Sequence, residues 1–293
     1  MQGIIVENIS NTYKIKADKI YEATARGKFK IDDIKPVVGD DIEFEIIDEL
    51  KNQAVINEIK ERKVYIKRPK LANITQIIYV VSSKNPSPDL LMLDKQLAFA
   101  EFLGIKAIIV LNKTDLDNKK EFKKIKQIYE KIGYQIIETQ ANERVGIDEL
   151  KQILNNNISA FSGNSGVGKS TLINAIFDEL VTLEGEISKK NKRGKNTTTS
   201  IKLYEINENT YIADTPGFST FEIDEIESKD LCFYFKEFSS KINDCEFVGC
   251  THIKEENCGI KKAIEQNEID ITRYERFCKI YNELKEREER KKW

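Results

Sequence analysis

The first sixty residues alternate apolar and polar positions in short runs broken by Asn, Asp, Gly and Pro. This predicts strands at 3–8, 12–16, 20–26, 41–47 and 54–60. Five such strands make an all-β unit, a small barrel of the oligonucleotide-binding (OB) type, although an SH3-like barrel would give the same pattern. From residue 75 the pattern changes to continuous apolar runs at 77–81, 107–111, 136–139, 158–162, 201–206 and 210–214. Several are separated by helical periodicity, at 89–103, 118–132 and 147–155. Continuous apolar strands alternating with helices predict a largely parallel sheet covered by helices. From about residue 222 the pattern is helical around a cysteine cluster, and the tail NELKEREERKKW alternates in sign like an exposed helix. The expected division is 1–65 for the barrel, 66–222 for the α/β domain and 223–293 for the helical module.

Composition narrows the class. Hydrophobic residues at 40% can build cores, charged residues at 33% describe a soluble chain, and no apolar run approaches the ~20 residues of a membrane span. The start, MQGIIVENISNTYKIK, lacks a signal-peptide layout, so no membrane partner and a cytoplasmic location are expected. Five cysteines is an odd count, and three of them lie with the only histidine inside 245–258, which argues for metal over cystine. The net charge of −2 gives no global attraction to nucleic acid, yet residues 60–70 hold six basic residues against one acidic, and residues 189–195 hold five against none. By themselves such runs are solvated loops.

The strongest chemical signal is Gly163-Asn164-Ser165-Gly166-Val167-Gly168-Lys169-Ser170, followed by Thr171, between an apolar strand and a helical run. Glycines let backbone N–H groups turn inward around phosphates. The helix N-terminus adds its positive end, the lysine reaches the outer phosphates, and the serine hydroxyl ligates magnesium. Asn112-Lys113-Thr114-Asp115 follows the strand at 107–111. Its aspartate can accept from guanine N1 and N2, a pairing adenine cannot offer, so GTP with Mg2+ is expected rather than ATP. Asp214-Thr215-Pro216-Gly217 closes the strand at 210–214, offering a water-mediated magnesium contact from Asp214 and a γ-phosphate-sensing N–H at Gly217. Between them, Thr198 or Thr199 is the expected switch threonine for magnesium, and the backbone N–H of Ala141 could meet guanine O6. An unpermuted GTPase runs phosphate loop, switch threonine, DxxG and then NKxD. Here the NKxD comes first, so the domain is circularly permuted, which is tolerated when termini lie close at the surface. The fold class is therefore an α/β circularly permuted P-loop GTPase domain, flanked by an N-terminal all-β OB-like barrel and a C-terminal helical module.

Cys245, Cys250, His252 and Cys258 form C-x4-C-x-H-x5-C, a ligand set for one closed, structural Zn2+ that organises the fold and performs no catalysis. Cys232 and Cys278 fall outside this spacing and read as small apolar core residues.

With these motifs, and with ARGKF (25–29) and VVGD (37–40) in the barrel, nearly the whole chain resembles the permuted ribosome-biogenesis GTPases known as RsgA. The resemblance implies a GTPase acting in late maturation of the small (30S) ribosomal subunit, stimulated by that subunit and binding its rRNA, and working as a monomer. The two basic stretches then become rRNA-phosphate contacts. A GTPase serving another RNA client, such as tRNA, is the alternative reading, and a nucleic-acid-binding module with a relic G domain is a third. The family usually carries a histidine before its three threonines, and here that residue is Asn196, which cannot act as a base. Gln140 stands where a serine is common, and Phe218 stands where other GTPases have a water-orienting glutamine. Intrinsic hydrolysis is therefore expected to be slow without a partner. The segment after DxxG runs into the zinc module, so γ-phosphate sensing at Gly217 is expected to bias that module's position.

Overall fold

The computed structural model describes residues 1–27, 29, 34–117, 120–184, 201–214, 223 and 225–291. The chain divides into two compact units. The first comprises Met1–Ile78, Thr139–Ser162 and Gly168–Ser219, and the second Tyr79–Glu138, Gly163–Val167 and Thr220–Trp293.

In the first unit, β1 (Gln2–Ile9), β2 (Thr12–Lys16), β3 (Ile20–Ala25), β4 (Asp41–Asp48) and β5 (Gln53–Ile59) close into a barrel. β1 pairs antiparallel with β2 and β4, β2 with β3, and β4 with β5, while β3 runs parallel to β5. This ring, with its single parallel pair, is the OB arrangement and removes the SH3-like alternative. Strand alternation sends Ile5, Ile15, Tyr21, Ala23, Ile42, Phe44, Ala54 and Ile56 inward, where all are buried, with the Tyr21 and Phe44 rings 5.2 Å apart.

VVGD is a structural device. Gly39 has φ +90, and a Cβ there would lie 2.1 Å from the Ala72 carbonyl oxygen. Asp40 is fully buried and accepts from the Val37 N–H at 2.7 Å and from Arg62 Nε at 2.7 Å and Nη2 at 2.9 Å. Its hydrogen bonds hold the Arg62 guanidinium pKa above the usual value. Arg62, from the basic stretch expected to meet rRNA, is thus committed to the barrel's base. The same stretch folds as a hairpin, β6 (Tyr65–Lys67) with β7 (Lys70–Ala72), that the hydrophobic pattern does not announce because each strand has only three residues. Residues 189–195 lie outside the described residues.

The first unit continues with the start of β8 (Gln76–Ser82), then α3 (Ile147–Leu154), β11 (Ile158–Ser162), α4 (Lys169–Glu184), β12 (Lys202–Asn207) and β13 (Thr210–Asp214). β11 is parallel to β13, as the apolar runs predict, whereas β12 and β13 form an antiparallel hairpin. β12 also pairs antiparallel with β1 at Glu7↔Lys202, so barrel and α/β strands share one sheet.

The second unit holds the rest of β8, α1 (Leu90–Leu103), β9 (Lys106–Asn112), α2 (Glu121–Lys131), most of β10 (Gln135–Thr139) and the C-terminal module. Its strand order is β10-β9-β8. The module is less regularly helical than its pattern suggests. Three 3-10 turns, Ser228–Tyr234, Lys236–Phe238 and Ile242–Asp244, precede α5 (Gly259–Glu265) and α6 (Ile271–Arg290). Asp270 caps α6 by accepting from the Thr272 and Arg273 N–H groups. The buried stripe of α6 is Arg273, Arg276, Phe277, Ile280, Tyr281 and Leu284, a 3–4 spacing in which two positions are arginines. Phe277 packs edge-on against Phe235 and Phe238, at 5.1 and 4.8 Å between ring centroids. Among the described residues, no helix is long and apolar enough to cross a membrane.

Candidate functional site

The expected guanine loop is built at the end of β9. Asn112 is buried, and its Nδ2 donates to the Val167 carbonyl at 2.9 Å. Lys113 takes a left-handed backbone, φ 62, which turns its ammonium toward the Asn85 carbonyl at 2.5 Å and the Gly166 carbonyl at 2.7 Å. Thr114–Leu116 forms a 3-10 turn that leaves the Asp115 carboxylate exposed, open to the donor edge of a base. The first two residues of the tetrad thus fasten the third and fourth to the phosphate loop.

That loop needs its glycines. Gly163 has φ +132, and a Cβ would sit 2.3 Å from the Val80 carbonyl oxygen, so only a bare backbone fits against β8. Gly166 and Gly168 also have positive φ, a backbone that glycine adopts without steric cost. Residues 163–167 belong to the second unit, and Gly168 onward to the first. There Leu172 N–H donates to the Gly168 carbonyl at 2.9 Å, starting α4 at Lys169. Lys169 is half-buried, and burial lowers the pKa of its ammonium, a loss of charge stabilisation that a bound phosphate would reverse. Ser170 and Thr171 are exposed on the first turn, and Asp214 ends β13, half-buried, as the sequence expects. Ala141 is buried in a 3-10 turn, Ala141–Glu143, pinned by paired Gln140 and Val145 backbone bonds. Thr198, Thr199, Gly217, Asn196 and Phe218 lie outside the described residues.

The metal ligands converge. The donor atoms of Cys245, Cys250, His252 and Cys258 all lie within 4.8 Å of one another. A tetrahedral zinc, with Zn–S of about 2.3 Å and Zn–N of about 2.0 Å, sets sulfurs about 3.8 Å apart and sulfur about 3.5 Å from nitrogen. Cys245 Sγ is 3.9 Å from Cys258 Sγ and 3.5 Å from His252 Nδ1, which in turn is 3.3 Å from Cys258 Sγ. The residues therefore fit the ion, with Nδ1 as the imidazole ligand. Burial lowers the His252 pKa, which favours the neutral ligand form. Burial and the neighbouring thiols push Cys250 up to about 12, so a cation is what makes thiolates possible here. The Gly259 N–H donates to Cys245 Sγ at 3.3 Å, and Tyr274 Oη donates to the His252 carbonyl at 2.7 Å, fixing two ligands from α5 and α6.

Several residues that shape these loops escaped the sequence reading. Asn85 and Pro86 cover Gly166, and Asp89 caps α1 by accepting from the Met92 N–H at 2.9 Å. Their signal was the string Asn-Pro-Ser-Pro-Asp before a helix. A lone aspartate inside the apolar run LLMLDKQLAFAEFL, Asp94, was a second signal.

A phosphate loop, an NKxD tetrad preceding it in the chain and a strand-ending aspartate define a circularly permuted P-loop GTPase domain, here carrying an OB barrel and a Cys3His module. The family described as RsgA GTPase matches residues 59–224, and the RsgA N-terminal domain matches residues 2–56. The chain belongs to the RsgA GTPase family. It is 40% identical over 296 residues to a small ribosomal subunit biogenesis GTPase RsgA of Clostridium botulinum (strain 657 / Type Ba4), covering all of both chains. It is 41% identical over 287 residues to the protein of that name from Ruminiclostridium cellulolyticum, covering 97% of this chain and 94% of the other. Its fold is similar to that of YjeQ from Thermotoga maritima, with TM-score 0.84, 35% identity and coverage of 97% of this chain and 98% of that one. It is also similar to YloQ, a circularly permuted GTPase, with TM-score 0.78, 28% identity and coverage of 98% and 95%.

Proposed function

We propose that this chain hydrolyses GTP to GDP and phosphate in the late maturation of the small ribosomal subunit, in the cytoplasm, as a monomer that binds rRNA and is stimulated by the subunit. The observation that carries the reading is the fastening of Asn112 and Lys113 to the carbonyls of Val167 and Gly166, which ties a guanine-selective tetrad to a phosphate loop. Residues 163–171 and Lys169 hold the phosphates, Asn112 to Asp115 and Ala141 select guanine, and Ser170 and one of Thr198 or Thr199 hold magnesium, which Asp214 supports through water, while Gly217 senses the γ-phosphate. Magnesium, when bound with GTP, neutralises charge developing on the phosphate oxygens. The chain's own residues position the nucleotide and stabilise charge, the main terms in phosphoryl transfer. Zinc, held by Cys245, Cys250, His252 and Cys258, is structural. The three-part division at residues 65 and 222 belongs to the same reading.

The rRNA part rests on a groove of about 680 Å³ in the first unit, lined by Arg26, Lys35 and Lys70 and, among the described residues, by no acidic one, in a chain with 49 acidic residues overall. GTP turnover with and without small subunits tests the function. The expected result is stimulation that weakens as salt rises, because phosphate contacts release counterions. Equal turnover with and without subunits would remove the partner, and stimulation by tRNA alone would install the other client. Asp115→Asn is expected to lose GTP and gain xanthosine triphosphate, and unchanged GTP affinity would take Asp115 out of the base site.

A further inference from the structure

The largest fully buried side chain of the described residues is not apolar but Arg273, on α6 of the zinc module. Its Nη1 donates to Asp94 Oδ1 at 2.5 Å, and its Nε pairs with Glu237 Oε1. Arg276, one turn further on, donates from Nε to Asp94 Oδ2 at 2.5 Å, and Tyr129 Oη of α2 donates to Asp94 Oδ1 at 2.5 Å. Asp94 itself is 0% exposed and sits in the second turn of α1. The Arg273 guanidinium also lies 4.6 Å from the Phe235 ring centroid. A carboxylate buried with two arginines holds position strictly, because displacement of one partner strands an uncompensated charge.

The N-terminal cap of the same helix, about one turn before Asp94, touches the phosphate loop. Asp89, the α1 cap, meets Asn164 Nδ2 at 3.5 Å, and the residues just before it, Asn85 and Pro86, lie against Lys113 and Gly166. Tyr79 Oη donates to the Gln96 carbonyl at 2.5 Å, locking α1 onto β8, whose Val80 carbonyl abuts Gly163. A helix clamped at its second turn has little freedom at its cap.

We propose that Asp94, held by Arg273 and Arg276, is a positioning residue for nucleotide binding. Through α1 and Asp89, the folded zinc module sets the geometry of the phosphate-loop residues 163–167. The inference rests on the GTPase reading above. It gives the zinc module a role beyond holding itself together, by a route separate from the 218–226 connection expected from sequence, most of which lies outside the described residues. Asp94 touches no nucleotide. It acts through the helix.

The test is a double-mutant cycle in the full, zinc-loaded chain, read as the Kd of a fluorescent GDP, with zinc content and protease resistance of the module measured alongside. Arg276→Met is expected to weaken GDP about tenfold with zinc content unchanged, and in an Asn164→Ala background the same substitution is expected to cost under about twofold, because the link it acts through is already cut. Lys95→Ala, which removes the half-exposed pair with Glu283 between the same two helices, is expected to change nothing. Where Arg276→Met loses zinc, Arg276→Lys takes its place, keeping the charge without the planar fork. Unchanged GDP affinity, or an equal loss in both backgrounds, overturns the inference while leaving the GTPase reading intact. A wild-type chain that binds no guanine nucleotide overturns both.

Discussion

The barrel and the zinc module are each joined to α/β elements by charged side chains, within the first and second units respectively. At the barrel, β1 pairs with β12 at Glu7↔Lys202, Lys16 reaches Glu205 with side chains 27% and 32% exposed, and Lys202 reaches Glu7 with side chains 34% and 12% exposed. At the module, Arg273 and Asp94 are 1% and 0% exposed at the side chain, and Glu237 only 8%. Exposed pairs of the first kind are worth about 0–1 kcal/mol and are screened by salt. Buried pairs of the second kind add little net stability over an apolar core but cost heavily to break. The barrel is therefore attached by its backbone register and tolerates loss of its charges, whereas the module's place depends on a few atoms.

The largest effect should come from removing zinc. Structural zinc contributes about 10–16 kcal/mol of apparent folding free energy in small peptides, so chelation or Cys250→Ser should make residues 228–291 protease-sensitive. Through Asp94 it should also weaken GDP binding. A module that stays resistant after chelation would show that the buried charges and aromatic packing suffice, and the contrast between the two attachments would lose its metal component. Next, Asp94→Ala should destabilise the second unit by about 3–5 kcal/mol in denaturant unfolding, since two buried guanidinium groups lose their acceptor. Asp40→Asn is the intermediate case. Its carboxylate is buried but Arg62 is partly exposed, so a loss of about 1.5–3 kcal/mol is expected, confined to the barrel. Smallest of all, Lys16→Ala should change stability by less than about 1 kcal/mol, with the difference vanishing at high salt. If Lys16→Ala costs as much as Asp94→Ala, burial is not what separates the two attachments.

The same contrast explains what was legible in the residues. Strand positions followed the period-2 and continuous apolar patterns to within a residue or two, because those patterns report which faces are buried. The phosphate loop, the NKxD tetrad and the Cys3His cluster were readable since each is a local string whose spacing is dictated by the ligand it serves. The β6/β7 hairpin was missed because three-residue strands carry no period. The basic stretch containing it read as an RNA contact, yet Arg62 turned inward, since nothing in a run of charges says which one will meet a buried Asp40.

Sequence alone determined the permuted motif order, the strings that make up both candidate sites and the family, all of which depend on residue type and local spacing. It also placed Asp94 in an apolar helix and two arginines three residues apart on another. Only the tertiary structure decided that these meet, 179 and 182 residues apart in the chain, and that they meet dry. The physical reason is that a charge's cost depends on its surroundings and not on its neighbours in sequence. An arginine on a surface stripe and one at the centre of a unit are written with the same letter, and burial alone separates a solvated face from a clamp.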